Sequence, residues 1–135
     1  MKEIVMYYSF TGNAKVLAAH FADENGLPLC EIATTKPLGK FAAYTSGCFK
    51  ALKGAGMPVT ASAAGFGDCE TAHIFAPVWA GHIAPPMVSG IELLPKGCAL
   101  HLHLVSASGE SRQEDDCLRL VNKGYGVASC EDLRK

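Results

Sequence analysis

The apolar positions fall into short blocks whose period alternates between that of a buried strand and that of an amphipathic helix. The first block, Glu3-Ile4-Val5-Met6-Tyr7-Tyr8, is β-branched, aromatic and almost continuously apolar. That is the pattern of a parallel strand covered on both faces. It stops at Ser9-Phe10-Thr11-Gly12-Asn13, after which Ala14, Leu17, Ala18, Phe21 and Ala22 recur on one helical face. Three of these five are alanines, so the helix is expected to lie close against a sheet. Asn25-Gly26 marks its end. A second strand is predicted over 27–33, with Pro28 near its start, as an edge strand permits.

Residues 34–67 carry the weakest pattern, and one helix over 41–53 followed by a loop rich in Gly, Ala and Ser is expected there. The strand signal returns over 71–76, and the chain is expected to break at Pro77-Val78-Trp79-Ala80-Gly81. Pro85-Pro86 opens a short helix reaching Leu94, since proline is tolerated in a first turn. A strand over 98–105, a helix over 111–123 and a last strand over 125–130 complete the series. Strand and helix alternating throughout predict one α/β domain over 1–135, doubly wound around a mainly parallel sheet.

Composition narrows the partners more than the fold. The 135 residues suffice for one core. Net charge is −1 with Lys and Arg scattered, so no basic stripe offers itself to nucleic acid. Lys2 and Glu3 lead into an apolar run too short for a signal peptide, and no apolar stretch approaches the roughly 20 residues of a membrane helix. A soluble, cytoplasmic protein is expected. The six cysteines, at 30, 48, 69, 98, 117 and 130, form no Cys-x-x-Cys. They read as small, partly buried hydrophobes in a reducing compartment rather than as a disulfide framework or a zinc cage.

Ligands of open α/β sheets bind beyond the carboxyl ends of the strands, and three such ends carry suggestive loops. Ser9-Phe10-Thr11-Gly12-Asn13-Ala14 follows the first strand and runs straight into a helix. Its hydroxyls, its amide and the free N–H groups of the helix can all donate to one phosphate, with the helix dipole in support. The same residues would equally make a plain helix cap without a ligand. Trp79, the only tryptophan, stands where the third parallel strand should end. It suits stacking on a flat aromatic ligand, or else lies in the core under a loop. The third loop, Ser106-Ala107-Ser108-Gly109, offers small residues that a ring can approach closely. The G-x-x-x-x-G-K-[ST] loop is absent, so ATP or GTP chemistry has no support, and a dinucleotide fingerprint wants three glycines in this turn where only Gly12 stands.

Together these residues resemble the flavodoxin family. Ser9 to Ala14 is similar to its Ser/Thr-x-Thr-Gly-x-Thr phosphate loop, and Pro77-Val78-Trp79-Ala80-Gly81 to the second flavin loop of short bacterial members. The resemblance implies a flavodoxin-like sheet of five parallel strands in the order 2-1-3-4-5 and non-covalent FMN. It puts the phosphate on Ser9, Phe10, Thr11, Gly12, Asn13 and Ala14. The ring falls between Pro77, Val78, Trp79, Ala80 and Gly81 on one side and Ser106, Ala107, Ser108 and Gly109 on the other. The implied role is electron transfer to redox partner proteins, with no catalytic acid, base or nucleophile assigned. His82 is read as a rim residue. Two other functions fit the same residues: a non-redox scaffold on this fold, and a small FMN-dependent NAD(P)H:quinone-type reductase.

Three departures qualify the resemblance. Ala14 replaces the usual threonine, which costs at most about tenfold in affinity for one lost neutral hydrogen bond. The near-neutral charge weakens steering toward basic partners. Only 131–135 follow the last strand, so the usual C-terminal helix is expected to be lacking and one sheet face left partly open. Leu100, Leu102 and Leu104 alternate with His101, His103 and Val105, so the histidines fall on one face. With His73 they could chelate a metal, but no carboxylate lies near them in sequence, and an interface is the expected use. A homodimer across this face is therefore expected. Light scattering at micromolar concentration checks it, and a monodisperse monomer overturns it.

Overall fold

A computed structural model describes residues 2–35, 48–106 and 111–134. Two short elements, β1 (Glu3–Tyr7) and α1 (Asn13–Asn25), set the frame. Ile4, Val5 and Met6 are fully buried, because β1 is covered on both faces. Ile4 and Met6 point into the larger core with Ile32, Ile74, Leu100, Leu102 and Leu104. Val5 and Tyr7 point the other way, onto Ala14, Ala18 and Ala22 of α1, with Phe75 and Val105 beside them. The alanines let α1 lie close to the sheet, and Gly26 ends it in the left-handed conformation, φ 62°.

The remaining elements are β2 (Leu29–Thr34), α2 (Cys48–Lys53), β3 (Val59–Ala61), a 3₁₀ turn (Phe66–Asp68), β4 (Thr71–Trp79), β5 (His82–Ile83), α3 (Pro85–Ile91), β6 (Ala99–Ser106), α4 (Gln113–Asn122) and β7 (Gly126–Arg134). The helix expected over 41–53 is seen only as α2; 36–47 lie outside the described residues. Strand order is β3-β2-β1-β4-β6-β7, with β5 paired to β4. Pairings β1–β2, β1–β4, β4–β6 and β6–β7 are parallel, while β3 on β2 and β5 on β4 are antiparallel. The sheet is therefore doubly wound and mostly parallel, but it has seven strands and is mixed rather than five and all parallel. No described helix is long and apolar enough to cross a membrane.

Four local expectations change. β2 is not an edge, since β3 flanks it; Ser62 fixes that junction by donating its N–H to the Glu31 carbonyl and accepting the Glu31 N–H on its hydroxyl. Pro28 precedes β2 and gives its carbonyl to the Val5 N–H at 2.9 Å. The chain does not break at Pro77, because β4 runs on to Trp79 and Pro77 pairs with Val105. The Phe75 carbonyl accepts from Tyr8, so the missing Pro77 N–H falls on that same side, where β1 has already ended. Finally, β7 extends to Arg134 after a register shift opposite Leu100 and His101, so 131–134 lengthen the sheet.

The histidines of β4 and β6 do share the α1 face. His73 stacks on His101 with ring centroids 4.8 Å apart, and its Nε2 lies 2.6 Å from Glu3 Oε2. His101 Nδ1 is 2.7 Å from Ser129 Oγ, His103 pairs with Glu131, and Phe21 of α1 rests over His73. The carboxylates missing from the local sequence are thus supplied by β1 and β7. On the opposite face the thiols of Cys69 and Cys98 lie 3.8 Å apart. Burial pushes the thiols of Cys98 and Cys130 up to about 12, which leaves both protonated and unreactive at neutral pH.

Burial under Phe21 and Phe75 lowers the His103 pKa, although Glu131 pulls it back up. A depressed histidine contributes stability above its unfolded pKa that is lost as pH falls through the folded value. The wild type should therefore lose thermal stability relative to His103→Gln between pH 7.5 and 5. Paired melting curves across that range check the sign.

Candidate functional site

The carboxyl ends of β1, β4 and β6 lie side by side, and a cleft of about 260 Å³ opens there. Ser9, Phe10, Thr11, Asn13 and Ala14 form one wall, Pro77, Val78 and Trp79 another, and Val105 and Ser106 close it at the end of β6. Its volume is near the small end of the ligand-pocket range of about 300–1,000 Å³. Most of the predicted phosphate-loop and ring residues are therefore brought to one place. Ala80 and Gly81 stand off the lining and make the turn behind Trp79. Ala107, Ser108 and Gly109 lie outside the described residues.

At the first wall no side chain takes the capping role that the sequence allows. An α-helix leaves its first N–H groups without internal partners, and Ser, Thr or Asn commonly fills that need. Here the residue at the cap is Gly12, at φ 100°, and no side chain caps the helix. Ser9 Oγ accepts the Gly12 N–H at 2.9 Å, ahead of the helix, which tightens the loop and keeps the hydroxyl hydrogen available to a ligand. No acidic residue occupies the first turn of α1. The start of α1 thus presents unpaired donors, a positive dipole end and no opposing carboxylate to the cleft, an arrangement that suits a phosphate.

The second wall is aromatic. Trp79 is half-buried, and it meets Tyr8 and Phe10 edge-on at centroid distances of 6.0 and 5.6 Å. Trp79 packs against the core and also lines the cleft. Trp79 and His82 pair across a two-residue turn in which Ala80 and Gly81 both have positive φ, 52° and 83°. That is the type I′ hairpin geometry, natural for Gly81 and strained for Ala80.

The sequence reading missed the next layer. His82 is not a rim residue but is 3% exposed, and its Nδ1 lies 2.9 Å from Oδ1 of the equally buried Asp116 on α4. The second oxygen of Asp116 accepts the Ile83 N–H at 3.1 Å. Burial raises the Asp116 pKa, against the opposing pull of His82, the Ile83 N–H and Arg119. A signal was present: Asp116 and Leu120 are the buried residues of α4, one turn apart, so a carboxylate sits on its apolar stripe.

Gly12 has space for a methyl group but holds a left-handed φ of 100°. Gly12→Ala should therefore cost about 1–2 kcal/mol through backbone strain alone. Urea unfolding of the ligand-free protein measures it, and an unchanged midpoint contradicts the loop geometry.

No protein-family model and no curated protein sequence matches the chain. Among solved structures, it is similar to a flavoprotein from Lactobacillus acidophilus NCFM in complex with FMN. The TM-score is 0.75 at 17% identity, over 96% of this chain and 91% of that one. A protein from Bacteroides eggerthii provisionally classed as a flavoprotein gives 0.75 at 18% identity, over 96% and 86%. The apo-form of the Lactobacillus flavoprotein gives 0.62 at 20%, over 97% and 92%. At these identities the likeness is one of fold: this chain has the doubly wound α/β architecture of those flavoproteins.

Proposed function

We propose that the chain is an FMN-binding flavoprotein of flavodoxin type that carries electrons between partner proteins. One observation carries the reading: the uncapped start of α1 and the half-buried Trp79 face the same cleft. A helix N-terminus free of side-chain caps and acidic residues favours a phosphate, and an indole beside it favours a flat ring. FMN joins those two groups through a ribityl chain. The Lactobacillus flavoprotein, solved in complex with FMN, shares the fold and supports the same ligand. When bound, the flavin supplies one- or two-electron redox chemistry, and the protein's part is to bind, orient and shield it.

In this reading Ser9, Thr11 and the α1 amides hold the phosphate, while Pro77, Val78 and Trp79 define one side of the ring. The buried thiols of Cys69 and Cys98 precede β4 and β6, at the ends of the strands opposite the cleft, so they take no part. The carrier role is preferred to a reductase because no titratable side chain lines the described part of the cleft. The non-redox scaffold leaves the uncapped helix unexplained.

Titrating FMN into apo-protein while recording Trp79 emission tests the proposal. Quenching that saturates at one FMN per chain is expected, since Trp79 is the only tryptophan. Absence of both quenching and bound flavin would move the scaffold reading to first place. Steady NAD(P)H oxidation by the loaded protein, without an added reductase, would favour the enzyme over the carrier.

A further inference from the structure

The buried Asp116 has no role in the cleft itself, yet it reaches the turn behind Trp79. Three successive hairpin residues are gripped from α4 and from Arg112, the residue at its N-cap. The Gly81 carbonyl accepts the Arg112 N–H at 2.7 Å, His82 Nδ1 contacts Asp116 Oδ1 at 2.9 Å, and the Ile83 N–H donates to Asp116 Oδ2 at 3.1 Å. Both side chains of the pair are 4% exposed. Arg119 backs the pair, with Nη1 3.6 Å from Asp116 Oδ1 and 3.3 Å from the Ala51 carbonyl on α2.

The hairpin needs such support. Its second strand, β5, has two residues; among the described residues it pairs Val78 with Ile83 and Trp79 with His82, and the Ala84 N–H donates to the Pro77 carbonyl at 3.1 Å. Ala80 is the sole non-glycine at positive φ among the described residues, a conformation that persists only where its surroundings impose it. Core burial of Ile83 anchors the base of this hairpin but leaves the turn at 80–81 to contacts from outside. The grip on 81–83 therefore holds the strained turn, and the turn holds Trp79 one residue away.

We infer that Asp116 is a positioning residue: through His82 and the Ile83 N–H it clamps the Trp79 hairpin to α4 and so sets the ring side of the proposed flavin site. This deepens the FMN reading and rests on it for the ligand, although the clamp itself is a property of the ligand-free chain. With the His82 proton on Nδ1, which also lies 3.4 Å from Arg119 Nη1, two donors converge on the carboxylate and each meets its own oxygen. Asparagine offers a single acceptor oxygen and turns its amide toward the other donor. A clamp on Trp79 acts on the ring and not on the phosphate, so FMN and riboflavin, which lacks the phosphate, should respond alike.

The experiment compares wild type, Asp116→Asn and His82→Gln. Acrylamide quenching of Trp79 in the apo-proteins comes first, and titration with FMN and riboflavin second. Both variants should expose Trp79 to quencher and weaken both flavins by the same factor, roughly tenfold for one charge-assisted hydrogen bond lost. Melting curves accompany each, because a purely structural Asp116 would lower the melting temperature and leave quenching and riboflavin affinity unchanged. That result overturns the clamp, as does weakening of FMN alone. His82→Gln keeps the Ile83 bond and decides the matter if Asp116→Asn does not fold. If the wild type binds neither flavin, the FMN reading fails, and apo quenching still decides the clamp.

Discussion

Burial of β1 from both sides is the constraint on which the rest of this structure depends. A strand with Ile4, Val5 and Met6 fully buried must satisfy its backbone through neighbours on both edges and its side chains through layers on both faces. β2 and β4 supply the first; α1 lies on one face, and on the other Ile4 and Met6 join the core that includes Met87 and Ile91 of α3. Parallel neighbours reach one another only through crossovers, so the carboxyl ends of β1, β4 and β6 finish on one side. α1 has to begin there, because its alanine stripe is the cover that β1 requires. The donors at its start are thereby aimed at the cleft by the packing of the core.

The second wall follows a different logic. Trp79 stands at the end of β4 beyond the reach of β1, where no parallel partner continues the sheet. A two-residue hairpin replaces that partner and brings a strained Ala80 with it. Such a turn is held from outside, and α4 does so with a backbone N–H and a buried carboxylate. The fold thus places rigidity directly behind the aromatic wall, while the first wall relies on the start of a helix that is already fixed.

The two sheet faces divide their chemistry. One holds aliphatic side chains and the Cys69–Cys98 thiols, protonated by burial and remote from the cleft. The other holds the histidines of β4 and β6, each facing an acidic or hydroxyl partner from a neighbouring strand, with Phe21 laid over them.

Period and composition alone determined the strand–helix alternation, the alanine face of α1, the leucine and histidine faces of β6, and the loop at Ser9 to Ala14. Each is a local property: neighbours three, four or two residues apart decide it. β3 was not legible, since three residues in a Gly, Ala and Ser stretch carry no period and became a strand only by pairing with β2. The run of β4 through Pro77 depended on where β1 ends, and β7 was lengthened by pairing with β6. Whether Ser9, Thr11 or Asn13 caps α1 was open in the sequence, because the same residue types serve a cap and a ligand loop; in the structure left-handed Gly12 stands at the cap and no side chain caps the helix. The burial of His82 was settled by Asp116, 34 residues away. Long-range pairing and burial belong to the assembled sheet, and only tertiary structure brings such partners together.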